Sequence, residues 1–369
     1  MNVKFAKRAA IVVGTATLGV TIVAGTAQAD PAAGVHRTLV AVGSDTTQDV
    51  LNGLGNKIAD PNPTGSSDGN LIASYDATGS STISTRDTTC ASVTRPDGSG
   101  AGVNALRADI AAGSHCIDFA RSSSTPNATG QFTFIPFAVD AVTAATATTT
   151  NLPANFTYLA GGSSLTNAQK ATSDLTRVYN CLDTAGNPLP AGTYPTIGGV
   201  TVHPLVPQAG SGTRKFWAST LGFNATTLPS CVKDTAANGA AVQEHNGSAL
   251  QGPNDLMPFS IAQHIAQGRS LPGVTDRRNG AVLKTVNSTA PLNASGNLNT
   301  AFPVTREVYN VIPDSRVTGE TLIKNTFVGS ASKVCTAKYD STTTVINKYG
   351  FGTDTNCGNA TTLVSRDLV

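Results

Sequence analysis

The alternation of β-prone runs with helices is the feature that most limits how this chain can fold. RTLVAVG at 37–43 predicts a strand, and QDVLNGLGNKIA, whose apolar residues recur at helical spacing, follows it. The same order recurs where VTVHPLVPQ runs into AGSGTRKFWASTLGF, and where LMPFS runs into IAQHIAQG. This alternation predicts an α/β fold, in which ligand loops lie at the carboxyl ends of strands.

The N-terminus has the three parts of a secretory signal peptide. Basic residues precede an apolar stretch from Ala9 to Ala24, and Ala27-Gln28-Ala29 fits a small-x-small cleavage site. Residues 1–29 are therefore expected to be removed after Ala29, which makes the protein secreted, either extracellular or periplasmic. No cysteine lies beside the cleavage site, so a lipid anchor is not expected.

Size and charge set two further limits. The chain has 369 residues, and the part after residue 29 is longer than one core usually serves, so two domains are expected. Charged residues make up 13 % of the chain and the net charge is +2, so the composition gives no signal for binding nucleic acid.

Six cysteines in an exported chain indicate disulfide bonds. Fifteen pairings are possible in principle. We expect neighbours in sequence to pair, because each bond then closes a local loop within one region. The expected bonds are Cys90–Cys116, Cys181–Cys231 and Cys335–Cys357. A zinc site is the alternative, but the chain has no C-x-x-C and its five histidines are scattered.

Four glycine- and serine-rich loops share one chemistry. Glycine lets the backbone approach a ligand, helix N-termini leave N–H donors free, and hydroxyl groups add further donors. One such loop alone is usually a turn with a helix cap, but four in one α/β chain predict an oxyanion site. The loops are Gly43-Ser44-Asp45-Thr46, Gly98-Ser99-Gly100, Arg121-Ser122-Ser123-Ser124 and Gly210-Ser211-Gly212-Thr213-Arg214.

Charge at such a site is expected from arginine, whose planar fork suits oxyanions. The predicted ligand-binding residues are Ser44, Asp45, Thr46, Ser99, Arg121, Ser122, Ser123, Ser211, Gly212, Thr213 and Arg214.

A nucleophilic role for Ser211 is the competing interpretation. The G-x-S-x-G elbow is not met, because Ala209 and Thr213 stand where its two glycines belong. A triad also needs a histidine and an acid in contact, which spacing alone cannot place. We therefore expect no enzyme, while an exported serine hydrolase or phosphatase using Ser211 stays open as the alternative.

These loops, in this order, resemble the phosphate-binding protein of the phosphate ABC importer, and more broadly the type II periplasmic binding proteins. The resemblance covers about residues 37–369. The matching segments are Ser44-Asp45-Thr46, Gly98 to Val103, Asp118-Phe119-Ala120-Arg121-Ser122-Ser123, Ala209-Gly210-Ser211-Gly212-Thr213, and the hinge-strand segments 135–139 and 302–306.

The resemblance implies a two-lobed α/β fold with a two-strand hinge. Lobe one would combine residues 36–138 with 303–369, and lobe two would be 139–302. It implies capture of an oxyanion, phosphate first of all, in the cleft between the lobes for ABC-type import. An ABC permease would be the partner of a monomeric protein that uses no cofactor, no metal and no nucleic acid.

Two positions differ from the family's pattern. Ser123 stands where the family has the carboxylate that accepts a proton from phosphate, and Pro207 stands where it has an arginine. Arg121 or Arg214 is expected to replace that arginine. Which anion binds therefore stays open, and so does the alternative that the protein has kept the fold and lost its ligand. Glu244-His245-Asn246-Gly247 falls near the cleft in such proteins, and an ordinary solvated turn is the other interpretation of it.

Overall fold

The computed structural model describes residues 30–86, 88–124, 126 and 130–361. The predicted signal peptide, 1–29, lies outside these residues. Among the helices of the described ranges, none has the length and apolar character that crossing a membrane requires.

Strands and helices alternate along the described chain, as the sequence predicts. The strands are Leu39–Gly43 (β1), Ile72–Ser74 (β2), Thr82–Ile83 (β3), Val93–Thr94 (β4), Phe119–Ser122 (β5), Phe132–Thr146 (β6), Asn155–Phe156 (β7), Thr196–Ile197 (β8), Val200–Thr201 (β9), His203–Pro204 (β10), Asp255–Ser260 (β11), Val282–Leu283 (β12), Thr285–Val286 (β13) and Thr305–Pro313 (β14). The helices are Gln48–Gly55 (α1), Ser99–Ala112 (α2), Asn167–Lys170 (α3), Asp174–Tyr179 (α4), Gly212–Leu221 (α5), Ile261–Gly268 (α6), Asp314–Gly319 (α7), Thr321–Phe327 (α8), Lys333–Thr336 (α9) and Val345–Lys348 (α10).

A mixed sheet with the strand order β10-β11-β6-β14-β5-β1-β2 forms the centre of the molecule. Strand β1 is parallel to β2 and β5, whereas β14 is antiparallel to both β5 and β6. We call β1, β2 and β5 with helices α1 and α2 the first half, and β10, β11 and β12 with helices α5 and α6 the second half. The predicted mixed α/β fold is confirmed.

Strand β6 passes from one half of the sheet to the other. Residues 132–141 pair with β14, and residues 142–145 pair with β11. The sequence FTFIPFAVDAVTAATA is β-prone, and Pro136 predicts a break within it; this prediction is wrong, because the strand continues through Pro136. Pro136 lies opposite Tyr309, next to a register shift between Val308 and Tyr309. Such an irregularity lets a strand accommodate a residue that has no N–H to donate.

The other differences from the predicted elements are in their bounds. The sequence predicts a helix from about Val103, after the Gly-Ser-Gly loop, whereas helix α2 begins at Ser99. The amphipathic segment LTNAQKATSDLTRVY predicts one helix over 165–179, but the structure has two, α3 and α4, because Thr166 caps the first and Ser173 precedes the second in extended conformation. The strand predicted over 200–208 is reduced to the two-residue strands β9 and β10. Pro204 and Pro207 interrupt the predicted run, because neither can donate a ladder hydrogen bond.

Apolar side chains cover both faces of the sheet. In β1, Leu39 and Ala41 lie in one core cluster, and Val40 and Val42 lie in another. A strand that is buried on both faces is typical of α/β sheets flanked by helices. Trp217 of α5 is fully buried, as expected for a helix-core residue. Because both faces of the sheet are covered by apolar side chains, polar loops gather at the ends of the strands.

All three predicted disulfide bonds are present. Cys90 bonds to Cys116, Cys181 to Cys231, and Cys335 to Cys357. Each bond closes a segment within one of the predicted lobes. The lobe boundaries themselves stay a prediction.

Candidate functional site

Three of the predicted loops meet in the first half. Ser44 follows β1, Ser123 follows β5, and Ser99 begins α2. The Ser44 hydroxyl donates to Ser123 Oγ at 3.1 Å, and the Ser123 N–H donates to Ser99 Oγ at 3.0 Å. All three side chains are buried. The parallel pairing of β1 with β5 brings these loops together at one edge of the sheet.

The fourth loop arrives from the second half, at the N-terminus of α5. The Gly100 N–H donates to the carbonyl oxygen of Gly210 at 3.3 Å. A Cβ at Gly212 would lie 2.3 Å from Ser99 Oγ and 2.4 Å from Ser123 Oγ. Glycine is therefore required here, since the backbone of α5 touches the serines of the first half.

Threonines from both halves face each other next to these serines. Thr46 Oγ1 and Thr213 Oγ1 are 3.3 Å apart, and both side chains are fully buried. The Thr46 hydroxyl also lies 3.1 Å from Ser123 Oγ. The predicted loops from both halves therefore form one cluster of hydroxyl and N–H groups.

A carboxylate lies at the centre of the cluster. Glu244 Oε2 accepts hydrogen bonds from the hydroxyls of Thr46 at 3.0 Å and Thr213 at 3.1 Å. Glu244 Oε1 lies 3.5 Å from the N–H of Thr213, in the first turn of α5. The Glu244 side chain is buried. The sequence allows two interpretations of the segment 244–247, a part of the site or a solvated turn. Glu244 shows that the segment is part of the cluster.

His245 contacts the same atoms, and its tautomer follows from its partners. Its Nδ1 accepts the N–H of Ser260 at 3.2 Å, so Nε2 carries the ring proton. That Nε2 lies 2.9 Å from Thr46 Oγ1 and 3.1 Å from Glu244 Oε2. The ring therefore adds one more donor beside the carboxylate.

The surroundings of Glu244 favour its ionised form. Burial by itself raises the pKa of Glu244. The hydrogen bonds of His245 and Ser211 and the charge of Arg306 outweigh burial and lower the pKa of Glu244 below its ordinary value. The carboxylate therefore carries its charge at neutral pH.

Arg306 of β14 supplies the positive charge of the cluster. Its guanidinium donates to the hydroxyl oxygens of Thr213 at 3.0 Å and Thr46 at 3.2 Å, and to the Ser123 carbonyl at 3.1 Å. Asp140, the residue opposite it on β6, accepts from it at 2.9 Å. The guanidinium also lies 5.2 Å from the ring centre of Phe216. This cross-strand pair fixes the fork against the site.

Arg306 is not among the residues that the sequence predicts for the site. It lies in the segment 302–306, which the resemblance identifies only as a hinge strand. The available signal was an arginine and an aspartate, Asp140, in two runs predicted to be strands. Nothing local showed that the two runs are neighbours.

The two arginines that the sequence nominated are not brought to the cluster. Arg121 donates to the backbone oxygens of Ala41, Gly43, Ser44 and Tyr75 and to Ser74 Oγ.

Arg214 donates to the Ala225 and Pro207 carbonyls and to Asp234. Both guanidinium groups stabilise loop backbones, because a buried arginine must satisfy all its N–H groups.

The remaining nominated residues have structural partners. The Asp45 carboxylate pairs with Arg277 at 3.0 Å. Ser122 Oγ accepts the N–H of Ser124. Ser211 Oγ accepts the N–H of Arg214 at 2.9 Å, which makes it the N-cap of α5, and its hydroxyl also donates to Glu244. Among the described residues, no group of histidine, cysteine, aspartate or glutamate side chains could hold a metal ion.

Comparisons with known proteins give similar structures but no family model. No family model matches the chain, and no curated protein matches it. The chain is similar to a putative phosphate ABC transporter substrate-binding protein of Clostridium perfringens with bound phosphate, at 13 % identity and a TM-score of 0.48, over 86 % of this chain and 99 % of that one.

Two further similar structures have related descriptions. One is an ABC-type phosphate transport receptor of Vibrio cholerae, at 12 % identity and a TM-score of 0.47, over 86 % of this chain and 100 % of that one. The other is a phosphate-binding protein of Stenotrophomonas maltophilia, at 13 % identity and a TM-score of 0.42, over 87 % of this chain and 92 % of that one. These similar structures are of the family that the sequence resembles. At such identities, function has to be inferred from the side chains of this chain itself.

Proposed function

We propose that the protein is an exported solute-binding protein that captures an oxyanion, phosphate, between its two halves. The observation that carries this is the convergence of donors on one buried anion. Hydroxyl groups of Thr46 and Thr213 and an N–H of α5 are directed at the Glu244 carboxylate, and the guanidinium of Arg306 donates to the oxygens of both hydroxyls. A place that stabilises a buried carboxylate in this way has the chemistry of an oxyanion site.

The donor set suits an oxyanion for a second reason. Arg306 is balanced by Asp140, so the ligand would be held mainly by neutral hydroxyl and N–H dipoles. Helix N-termini bind anions through such N–H groups, and α5 presents its first turn here. Arg306 would fill the role of the arginine that Pro207 cannot supply.

The proposed mechanism is closure of two lobes around the ligand. Lobe one would combine residues 36–138 with 303–369, and lobe two would be 139–302, with β6 and β14 as the hinge. The contacts of Thr46 with Thr213 and of Gly100 with Gly210 would then run between the lobes, and ligand entry would require the lobes to separate. The captured ion would be passed to an ABC permease by a monomeric, secreted protein.

The hydrolase alternative has little support from the geometry. Ser211 Oγ accepts a backbone N–H as a helix cap, and the histidine of the cluster, His245, contacts Thr46 and Glu244 instead. His245 Nδ1 accepts an N–H, whereas the base of a triad donates from that atom to an acid.

Isothermal titration of residues 30–369 with phosphate and with sulfate tests the proposal. We expect one phosphate per chain and no hydrolysis of a phosphate ester. Thr213→Val should weaken phosphate binding by roughly ten-fold or more, the loss expected for a hydrogen bond to a charged group. Thr227→Val, on an exposed loop, is the matched control and should leave it unchanged.

Three results would contradict the proposal. Ester hydrolysis that is lost in Ser211→Ala would favour the hydrolase. Tighter binding of sulfate than of phosphate would change the anion. Binding of neither ion would favour a fold that has lost its ligand.

A further inference from the structure

We propose that Glu244 is the resident anion of this site, so that an external oxyanion binds only in competition with it. This inference rests on the proposed oxyanion site and concerns its regulation. The Glu244 carboxylate occupies the position proposed for the ligand and contacts threonines of both halves.

The Glu244 carboxylate uses the hydrogen-bond donors that an oxyanion needs. The hydroxyls of Thr46 and Thr213 each have one proton, and both are directed at Glu244 Oε2. A phosphate oxygen could accept these protons only after Glu244 releases them. The carboxylate is therefore a competitor for the donors and not an addition to them.

The negative charge of Glu244 also opposes the binding of a second anion. Glu244 is ionised at neutral pH, and Asp140 balances Arg306. An oxyanion that entered with Glu244 in place would meet a like charge at contact distance inside a buried cluster, where such repulsion is strong. Displacement of the carboxylate removes that repulsion.

Glu244 belongs to the second half and reaches the first. The loop around it is anchored to the second half, because Gln267 donates to the carbonyl of His245 at 3.1 Å and the Gly247 N–H donates to the Arg277 carbonyl at 2.9 Å. Contacts with Thr213 lie in the same half, whereas the contact with Thr46 reaches the other half. Glu244 therefore links the halves as a bound ligand would.

Phosphate titration of Glu244→Ala and Glu244→Gln beside the wild type tests the competition. Both variants should bind phosphate at least about ten-fold more tightly than the wild type, because a competing charge is removed. Glu320→Ala removes a carboxylate that pairs with Arg316 far from the site, and should leave the affinity unchanged. Phosphate binding that is equal or weaker in both Glu244 variants would overturn the inference and leave the proposed function standing.

A second measurement separates the inference from the choice of phosphate. Alanine at 244 lacks the CH₂ and carboxylate that an acetate ion can replace. Acetate should raise the melting temperature of Glu244→Ala by several degrees more than that of the wild type or of Glu320→Ala. Rescue by acetate without phosphate binding would support the resident anion and reject the proposed function. Absence of both would reject both.

Discussion

At the scale of single residues, Arg306 connects more polar groups of the site than its strand neighbours do. Its guanidinium reaches Asp140, the Ser123 carbonyl and the two facing threonines. A cation in this position satisfies a buried carboxylate on one side and holds hydroxyl oxygens on the other, so that their protons point at the ligand position. The orientation of the donors therefore depends on one side chain.

We expect Arg306→Ala to weaken phosphate binding by at least about ten-fold and to destabilise the protein by roughly 3–5 kcal/mol, since it leaves the buried carboxylate of Asp140 unpaired. Phosphate titration and urea denaturation measure the two effects. Arg306→Lys should recover part of the stability but less of the affinity, because lysine lacks the fork. Arg107→Ala, in helix α2, is the control for affinity. Unchanged affinity in Arg306→Ala would remove this residue from the site.

Asp49 gives a prediction on pH. It is buried in the first turn of α1, and burial raises its pKa to about 7, although Arg277 opposes the shift. A raised pKa stabilises the fold below the unfolded value of about 4, and this contribution is lost as the pH rises through 7. Asp49→Asn should therefore flatten the fall in unfolding free energy between pH 5 and pH 8.

Urea denaturation at four pH values from 5 to 8 measures this slope. Asp276→Asn is the contrast, because the pKa of that carboxyl is lowered by the hydrogen bond from Arg278 and the side chain is largely exposed. It should leave the slope between pH 5 and pH 8 unchanged. An identical slope in the wild type and Asp49→Asn would show that Asp49 is ionised throughout this range.

At the scale of elements, the N-termini of α2 and α5 approach each other closely enough to exclude a methyl group. Gly212→Ala would place Cβ within 2.4 Å of two serine oxygens. We expect a loss of about 1–3 kcal/mol, the cost of overpacking a close contact. If the halves respond by separating, small-angle scattering will also show a larger radius of gyration.

Gly319→Ala is the matched control, because its Cβ would meet no heavy atom within 4 Å at the end of α7. Stability of Gly212→Ala equal to that of the wild type would show that the two N-termini separate freely in solution.

The elements also show how far the sequence predicts the site. The serine and glycine loops could be placed because each follows a strand or begins a helix, which local patterns reveal. Glu244 and Arg306 could not be placed in the same way. Glu244 lies in a loop without regular structure, and Arg306 depends on the pairing of β14 with β6, which joins residues far apart in sequence.

The arginine prediction shows the same limit from the other side. Arg121 lies in the expected strand, but its side chain is directed to the carbonyls of neighbouring loops. Whether a strand residue faces the ligand or the backbone of its neighbours depends on the loops packed around it, and no local pattern records this.

At the scale of the whole molecule, the three disulfide bonds stabilise each predicted lobe without linking one to the other. Replacement of Cys335 and Cys357 by serine should lower the unfolding free energy by about 3 kcal/mol through the entropy of the unfolded chain. Phosphate affinity should change less than two-fold, since the bond lies away from the threonines of the site. Calorimetry and titration measure the two quantities. A large loss of affinity with unchanged stability would contradict this division.

The position of β14 has a consequence for the order in which the chain acquires its structure. Strand β5 must pair with β14, which is made from residues 305–313, whereas the pairing of β6 with β11 is complete once residue 260 has been made. The second half can therefore form while the first half still lacks a central strand. Pulse-labelling hydrogen exchange should protect β11 before β5, and the reverse order would show that the first half folds around β1 and β2 alone. Until its last quarter arrives, the growing chain has an open sheet edge at β5, which is the kind of surface that chaperones cover.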